Sequence, residues 1–193
     1  MRKDLGAKNY IYPLPAFIVG TYDKNGKANV MQVAWAGMCK SDPPCIAINI
    51  DKGHLTSENI RARRAFTLSP ATLETLRESD YFGLVSGRNE DKITKTGFHA
   101  EKSRKVDAPL FAEYPMTLEC KVRSIEEDGQ DLRVVGEIIN VSVEETCLDE
   151  EGRIDPLQIR PLIYDESDFS YHVLGEKVGK AFEDGKKFRA SGR

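Results

Sequence analysis

The sequence predicts a mainly antiparallel β fold with helical insertions, arranged as a small barrel. Strand-forming residues recur in short segments near the start and in the second half of the chain, and turn residues separate them. No Gly-x-Gly-x-x-Gly motif follows a strand, and helices do not alternate regularly with strands, so a parallel nucleotide-binding sheet is disfavoured. The 193 residues are expected to form a single domain over 1–193.

The first fifty residues predict an antiparallel meander. Strands over 16–22 and 28–39 flank an Asn25-Gly26 pair, which is a strong hairpin signal between apolar segments. A third strand over 45–50 follows a turn at Pro43-Pro44. We therefore expect three consecutive strands that pair side by side.

The middle of the chain predicts helices around one short strand. Residues 55–64 have helical spacing, with a hydroxyl residue suited to the N-cap at their start. A short strand over 65–69 follows, and 70–85 is helix-rich because apolar residues recur there every three or four positions. A polar helix over 91–98 is expected to stop at Gly97.

A second hairpin is predicted in the latter half of the chain. Residues 116–125 and 132–143 alternate apolar and polar side chains with a period of two, and a loop containing Asp128-Gly129 lies between them. The final third is less regular. We expect a short helix over 177–182 and a frayed basic end over 185–193.

Composition narrows the class of protein. The chain has 28 basic and 31 acidic residues, for a net charge of −3, and this balance argues against a nucleic-acid partner. No apolar run approaches the ~20 residues of a membrane span, and residues 1–12 do not resemble a signal peptide. The sequence therefore predicts a cytoplasmic protein with no membrane partner.

The cysteines and histidines predict no metal site. Neither type clusters at the spacing of metal ligands, and free thiols in a reducing compartment are the expected state. Cys39 and Cys45 flank the diproline turn and would face each other across it, but a functional disulfide between them is the less favoured reading. No arrangement of a protein nucleophile with a base is apparent.

The turn after the third predicted strand carries a candidate anion site. Lys52, His54, Thr56 and Asn59 bring a cation and short polar side chains to the start of a predicted helix. Free backbone N–H groups at such a position also favour negative charge. Ordinary helix capping explains Thr56 and Asn59 equally well, so the residues alone leave both readings open.

Taken in order, these segments resemble the flavin reductase-like family, especially its flavoredoxin branch. The landmarks in the first half are Pro15-x-x-x-Val19-Gly20-Thr21, Gly26-Lys27-x-Asn29-Val30-Met31-x-x-Ala34-Trp35, Pro43-Pro44 and His54-x-Thr56-x-x-Asn59-Ile60. Those in the second half are Tyr81-Phe82-Gly83-x-x-Ser86-Gly87-Arg88 with Asp91-Lys92, then Ala108-Pro109, Leu118-Glu119-Cys120, Pro161-Leu162-x-Tyr164 and Tyr171-x-x-Leu174-Gly175. The resemblance spans nearly the whole chain.

The resemblance implies an FMN-binding split β-barrel, antiparallel and Greek-key-like, that forms a homodimer with the flavin near the subunit interface. It leaves two activities open. One is an oxidoreductase in which NAD(P)H, as a transient donor, reduces the flavin. The other is a flavoredoxin-type carrier that passes electrons to a redox protein partner. A barrel that binds other small molecules or nucleic acid without flavin is a third reading, which the charge balance disfavours for nucleic acid.

The resemblance also implies which residues bind FMN, while the redox chemistry itself belongs to the flavin. For the phosphate, the first choice is Lys52, His54, Thr56 and Asn59, and the second is Ser86, Gly87, Arg88 and Lys92. For the ring and ribityl chain, the candidates are Asn29, Val30, Met31, Gln32, Ala34 and Trp35. Tyr171 is expected to act as a lid or to reach the flavin of the partner subunit.

Several of these residues have an equally ordinary structural explanation. Trp35 and Met31 also fit alternating core packing, and Arg88 and Lys92 also fit a solvated loop. Gln32 and Val33 stand where relatives often have Thr or Ser, which weakens the case for a hydroxyl contact there. The chain shows no recognisable nicotinamide site.

Overall fold

The computed structural model describes residues 1–189 and is dominated by β-strands. Twelve strands occur in the described part of the chain. The first six are β1 (Leu14–Pro15), β2 (Phe17–Tyr22), β3 (Ala28–Val33), β4 (Ala36–Ser41), β5 (Pro44–Asp51) and β6 (Ala65–Pro70). The remainder are β7 (Ala100–Lys102), β8 (Pro109–Phe111), β9 (Met116–Asp128), β10 (Asp131–Val143), β11 (Leu162–Asp165) and β12 (Ser170–Val173).

Helices are short and lie in the connections between strands. They are α1 (Leu55–Arg63), α2 (Leu76–Leu84), α3 (Lys92–Thr96) and α4 (Pro156–Ile159), with 3₁₀ turns at Glu145–Cys147 and Asp184–Phe188. The first three confirm the helices predicted in the middle of the chain, and α3 ends at Gly97 as expected, in a left-handed conformation that glycine adopts without strain. Across residues 1–189, no helix has the length and apolar character needed to cross a membrane.

The main sheet is antiparallel and has seven strands in the order β3-β2-β6-β9-β10-β5-β4. The predicted hairpins are confirmed, because β2 pairs with β3, β4 with β5, and β9 with β10. Strands β3 and β4 follow one another in the chain but form the two edges of this sheet. The sheet is therefore split between them and is not closed into a full ring by hydrogen bonds.

The prediction of one continuous strand over 28–39 is wrong. The chain turns a corner at Ala34-Trp35, where the Ala36 N–H donates to the Ala34 carbonyl at 3.0 Å. The Asn49 N–H donates to the Trp35 carbonyl at 2.9 Å, which holds the corner against β5. These bonds send the chain from one edge of the sheet to the other.

The C-terminal third also differs from the prediction. The helix expected over 177–182 is absent from the described chain, and a 3₁₀ helix at Asp184–Phe188 occurs instead. The Asp184 carboxylate accepts the Lys180 N–H at 2.8 Å, so a side chain takes a backbone donor that a continuing helix would use. The segment expected to fray, 185–193, begins within this 3₁₀ helix, and its last four residues lie outside the described part.

Two apolar cores hold the site in place. The larger lies inside the main sheet around Ile48, Phe66 and Leu132, all fully buried. The smaller packs Phe82 of α2 against Val30 of β3, together with other residues from the two sides. A small sheet in the order β1-β11-β12, which the sequence did not predict, brings the C-terminal part of the chain beside α2 and β3.

Candidate functional site

An elongated cleft, called here the β3 cleft, runs along strand β3. One end, of about 210 Å³, lies between β3, the start of α1 and the loop after α2. The other end, of about 380 Å³, lies between β3, α2 and the small C-terminal sheet. Both ends are lined by Gln32, Gly83 and Leu84, so they form one continuous depression. Taken together, the two ends have a volume typical of a small-molecule site.

A buried network of amides and hydroxyls forms the floor of the first end. The Asn29 Nδ2 donates to Thr56 Oγ1 at 3.0 Å, and Asn59 Nδ2 donates to Thr21 Oγ1 at 3.0 Å. Thr56 lines the cleft. Because its oxygen accepts the bond from Asn29, its own hydroxyl proton remains available to a ligand. Asn59 does not line the cleft, and it acts on the site through Thr21.

Lys92 places a buried cation at the same end. Its side chain is 4% exposed, and its Nζ donates to the carbonyls of Phe82 at 2.9 Å and Val85 at 3.1 Å. Helix ends leave such carbonyls without partners within the helix, so the ammonium satisfies them. An ammonium has three protons, and two are used here. Burial lowers the pKa of Lys92 to about 8.

Gly87 allows the backbone after α2 to approach β3 very closely. A Cβ at this position would lie 2.1 Å from Asn29 Oδ1 and 3.1 Å from Leu55 Cδ2. Only glycine fits against the Asn29 amide without displacing it. The neighbouring Ser86 and the N-cap of α1, His54, line the same end of the cleft. The first two residues of α1, Leu55 and Thr56, line this end as well, and a helix N-terminus favours negative charge.

Besides Asn59, two residues predicted to bind the phosphate do not line the cleft. The Lys52 Nζ donates to the Gly129 carbonyl at 2.6 Å, because the register of β5 with β10 places the β9–β10 turn beside it. Arg88 forms an exposed ion pair with Glu58 at 3.0 Å. Val30, which was predicted to meet the ring through its backbone, has a side chain fully buried in the smaller core, and its neighbours on β3 line the cleft.

Trp35 faces a different space from its neighbour Ala34. Ala34 lines the second end of the β3 cleft, whereas Trp35 lines a cavity of about 610 Å³ with Tyr10 and Arg133. The Trp35 Nε1 donates to Glu166 at 3.4 Å. The corner in the chain turns these adjacent side chains to opposite sides, so within one subunit Trp35 is separate from the other predicted ring contacts.

Tyr171 reaches the cleft from β12 and contacts two side chains. Its hydroxyl lies 3.1 Å from Gln32 Oε1 and 2.9 Å from Asp80 Oδ1 on α2. Burial is the main reason that the pKa of Tyr171 is raised to about 12, and the hydrogen bond with Asp80 adds to the increase. Sequence reasoning missed Asp80, because it lies 91 residues from Tyr171 and belongs to no recognisable motif.

The comparisons with known proteins agree with this architecture. The family described as "Flavin reductase like domain" matches residues 9–171. The structure of flavoredoxin from Desulfovibrio vulgaris (Miyazaki F) superimposes with a TM-score of 0.93 and 40% identity, over 96% of this chain and 100% of that one. Flavoredoxin from Methanosarcina acetivorans gives 0.89 and 30% identity, over 97% of this chain and 100% of that one.

A third structure bears on the fold alone. A Shewanella frigidimarina protein with a split barrel domain superimposes with a TM-score of 0.77 and 22% identity. The match covers 86% of this chain and 84% of that protein. The split β-barrel expected from the resemblance is thereby confirmed as the fold. The match over most of the chain and the 40% identity lead to one assignment. The chain belongs to the flavin reductase-like domain family.

Proposed function

We propose that the protein binds FMN in the β3 cleft and serves as an electron-transferring flavoprotein. In the first form of the proposal, NAD(P)H is the donor and the protein is an NAD(P)H:flavin oxidoreductase. The observation that carries the proposal is the buried Lys92, whose ammonium has two protein acceptors for its three protons and lines one end of the β3 cleft. A buried cation with an unused donor suits an anionic group.

The chemistry of the first end fits the phosphate of FMN. A dianionic phosphate needs several donors and positive charge. The third Lys92 proton, the Thr56 hydroxyl, Ser86, His54 and the start of α1 supply these at one end of the cleft. Asn29 holds Thr56 in place, and Gly87 keeps the backbone close enough to enclose the group.

The second end suits the ring and ribityl chain. It is wider than the first, and Ala34, Gln32 and Tyr171 form its walls. When bound, FMN supplies the redox chemistry, and the chain supplies position, hydrogen bonds and exclusion of water. Met31 lines the first end and Gln32 lines both ends, so both would lie along the cofactor.

A flavoredoxin-type carrier is the second candidate. The structures with 40% and 30% identity to this chain are both flavoredoxins. This similarity favours the transfer of electrons through tightly held FMN to a redox protein partner. The two candidates differ in the donor that reduces the flavin. They share the same cofactor site and the same walls of the cleft.

An anaerobic titration separates these activities. The protein is loaded with FMN, freed of excess by gel filtration, and titrated with NADH, NADPH or a reduced iron–sulfur protein while flavin absorbance is followed. Loss of the oxidised band with either nicotinamide indicates the oxidoreductase. Loss only with the protein donor indicates the carrier. A preparation that does not bind FMN added at micromolar concentration contradicts the cofactor proposal itself.

We also propose that the protein is a homodimer. Edge strand β4 carries Met38 with 61% of its surface exposed, and strand β10 exposes Ile139 and Val141. Unpaired edge strands and exposed apolar side chains of this kind are commonly buried against a second protein surface. The Trp35 cavity adjoins this same edge of the main sheet, because Ala36 and Gly37 of β4 line it.

The dimer is tested by light scattering coupled to gel filtration. We expect twice the 21.7 kDa chain mass, with or without FMN. Met38→Glu on the exposed edge should shift the mass toward that of one chain, because it places a charge in the apolar contact. Lys102→Glu, on the separate β7–β8 pair, is the control. A wild-type mass of one chain would refute the proposal.

A further inference from the structure

The C-terminal arm, defined here as residues 174–189, follows strand β12 and is exposed along its whole length. Its hydrogen bonds, and the ion pair of Lys186 with Glu183, join arm residues to one another. Within the described chain, none of these bonds reaches residues 1–173. The arm therefore has a local structure of its own but no polar contact with the body of its subunit.

Three large apolar side chains on the arm are left in water. Val178, Phe182 and Phe188 are 92%, 94% and 81% exposed. Single exposed apolar residues are common on protein surfaces, but several on one segment mark a site of contact with another protein surface. Phe182 also has a left-handed backbone conformation, with a φ of 64°, which is unfavourable for a bulky residue. These features indicate that a contact outside the subunit completes the arm.

A groove of about 740 Å³ beside the base of the arm offers a matching apolar surface. Ile154 and Leu157, around the start of α4, are 41% and 44% exposed and line this groove. Of the arm, only residues up to Lys177 line the groove, and Val178 and the residues after it lie beyond it. The apolar side chains of the arm therefore do not fill the groove of their own subunit.

Opposite charges favour contact between the groove and an arm. Residues 144–155, which lead into the groove, contain six acidic residues and one basic residue, whereas the arm contains five basic and three acidic residues. Of these six acidic residues, only Asp149 and Glu151 form ion pairs within the described chain, both with Arg153. Lys180 on the arm forms none there. Complementary charges of this kind bring two surfaces together and set their orientation.

A second copy of this chain is the occupant that the geometry favours. Strand β10, which exposes Ile139 and Val141, runs directly into residues 144–155, so the groove continues the surface that we propose as the dimer contact. The base of each arm adjoins the groove of its own subunit. A two-fold axis beside the groove therefore brings each arm next to the partner's groove, and the exchange is reciprocal. Residues 178–188 span up to ~35 Å when extended, so the arm is long enough to lie across a groove on another subunit.

We propose that two copies of this chain exchange their C-terminal arms, and that Val178 and Phe182 of each arm pack in the groove of the partner subunit. The inference rests on the homodimer proposed above and goes beyond it, because it names the segment that each subunit gives to the other. The residues that line the β3 cleft all precede the arm. The exchange therefore stabilises the dimer without supplying a side chain to that cleft.

Chemical cross-linking of the full chain tests where the arm lies. Cys39→Ser first removes the exposed cysteine. In this background, a chain with Phe182→Cys and a larger, tagged chain with Leu157→Cys are co-expressed and treated with a short bismaleimide. We expect a cross-link between the two chains. Lys102→Cys, on the exposed strand β7, replaces Leu157→Cys in the control and should give none.

Packing of the arm within one subunit is identified by a chain that carries both Phe182→Cys and Leu157→Cys. This chain is mixed with an excess of the Cys39→Ser chain, so that two doubly substituted chains seldom meet. An internal cross-link in this mixture, or no cross-link in either experiment, overturns the exchange of arms.

The contribution of the arm to the dimer is measured by analytical ultracentrifugation over a dilution series. We expect Val178→Ser combined with Phe182→Ser, in the full chain, to raise the dimer dissociation constant by about tenfold or more, because two apolar side chains are no longer buried. Ala181→Ser, between them on the arm, is the control and should leave the constant unchanged. A double variant that dissociates like the wild type contradicts the exchange while the dimer stands. A wild-type chain that is monomeric at every concentration refutes the dimer itself, and the exchange with it.

Discussion

Replacing Lys92 by methionine should weaken FMN binding by about tenfold to a hundredfold, the range for losing a charge-assisted hydrogen bond. Methionine has a similar length and occupies the same buried space, so the change removes the charge and donors while the cleft keeps its shape. The dissociation constant is measured by quenching of flavin fluorescence. Melting of the ligand-free variant establishes that it still folds.

Lys95→Met is the matched control for this prediction. Lys95 lies on the same short helix, but its side chain is exposed and pairs with Glu90 at 2.5 Å. We expect FMN affinity to be unchanged in this variant. Equal losses in the two variants would show that general charge, and not the buried ammonium, attracts the phosphate.

The pH dependence of binding gives an independent readout of Lys92. Its pKa in the empty protein is about 8, because burial disfavours the charged form. A phosphate binds the protonated form better, so FMN affinity should fall as the pH rises above 8. Lys92→Met should lose this part of the pH dependence. A wild-type affinity that stays constant from pH 7 to about 10 would argue against the assigned role.

Gly87→Ala is the second substitution with a large expected effect. The added methyl would lie 2.1 Å from Asn29 Oδ1, and Asn29 is fixed by its bond to Thr56. Either the loop or the amide must move, which costs about 1–3 kcal/mol of folding stability. Because the Thr56 hydroxyl is oriented by Asn29, FMN affinity should also fall, by about tenfold. Denaturant unfolding and FMN titration measure the two effects.

Gly175→Ala provides the control for this second prediction. A Cβ at Gly175 meets no heavy atom within 4 Å, so the same chemical change there should leave both stability and FMN affinity unaltered. A Gly87→Ala protein with wild-type stability and affinity would show that the loop can retreat from β3 at little cost. The close approach of the Gly87 loop to β3 would then not be needed to hold the first end of the β3 cleft together.

Local patterns predicted the strands and hairpins of the main sheet. The period-two alternation in β9 and β10 and the Asn25-Gly26 turn depend on neighbours in the sequence, and the structure confirms both. The corner at Ala34-Trp35 was missed because its hydrogen bonds include one to Asn49, on another strand. Propensity alone cannot show such a tertiary constraint.

The same distinction between local patterns and long-range contacts applies to the site residues. Thr56 and Ser86 line the cleft as expected, since each belongs to a short turn whose geometry follows from local sequence. Lys52 lies away from the cleft because its Nζ donates to the Gly129 carbonyl, which belongs to a hairpin 77 residues further along the chain. The pairing of Asp80 with Tyr171 was likewise invisible, because the small C-terminal sheet that carries Tyr171 consists of strands of two to four residues.

That small sheet has a consequence for how the protein acquires its cofactor in the cell. Strand β1, near the start of the chain, pairs with β11, and β11 carries β12 and Tyr171. The residues that line the first end of the β3 cleft all precede Tyr171 in the chain, so during synthesis they emerge before the wall that Tyr171 provides. Loading of flavin is therefore expected to wait until β12 has emerged and β11 can pair with β1.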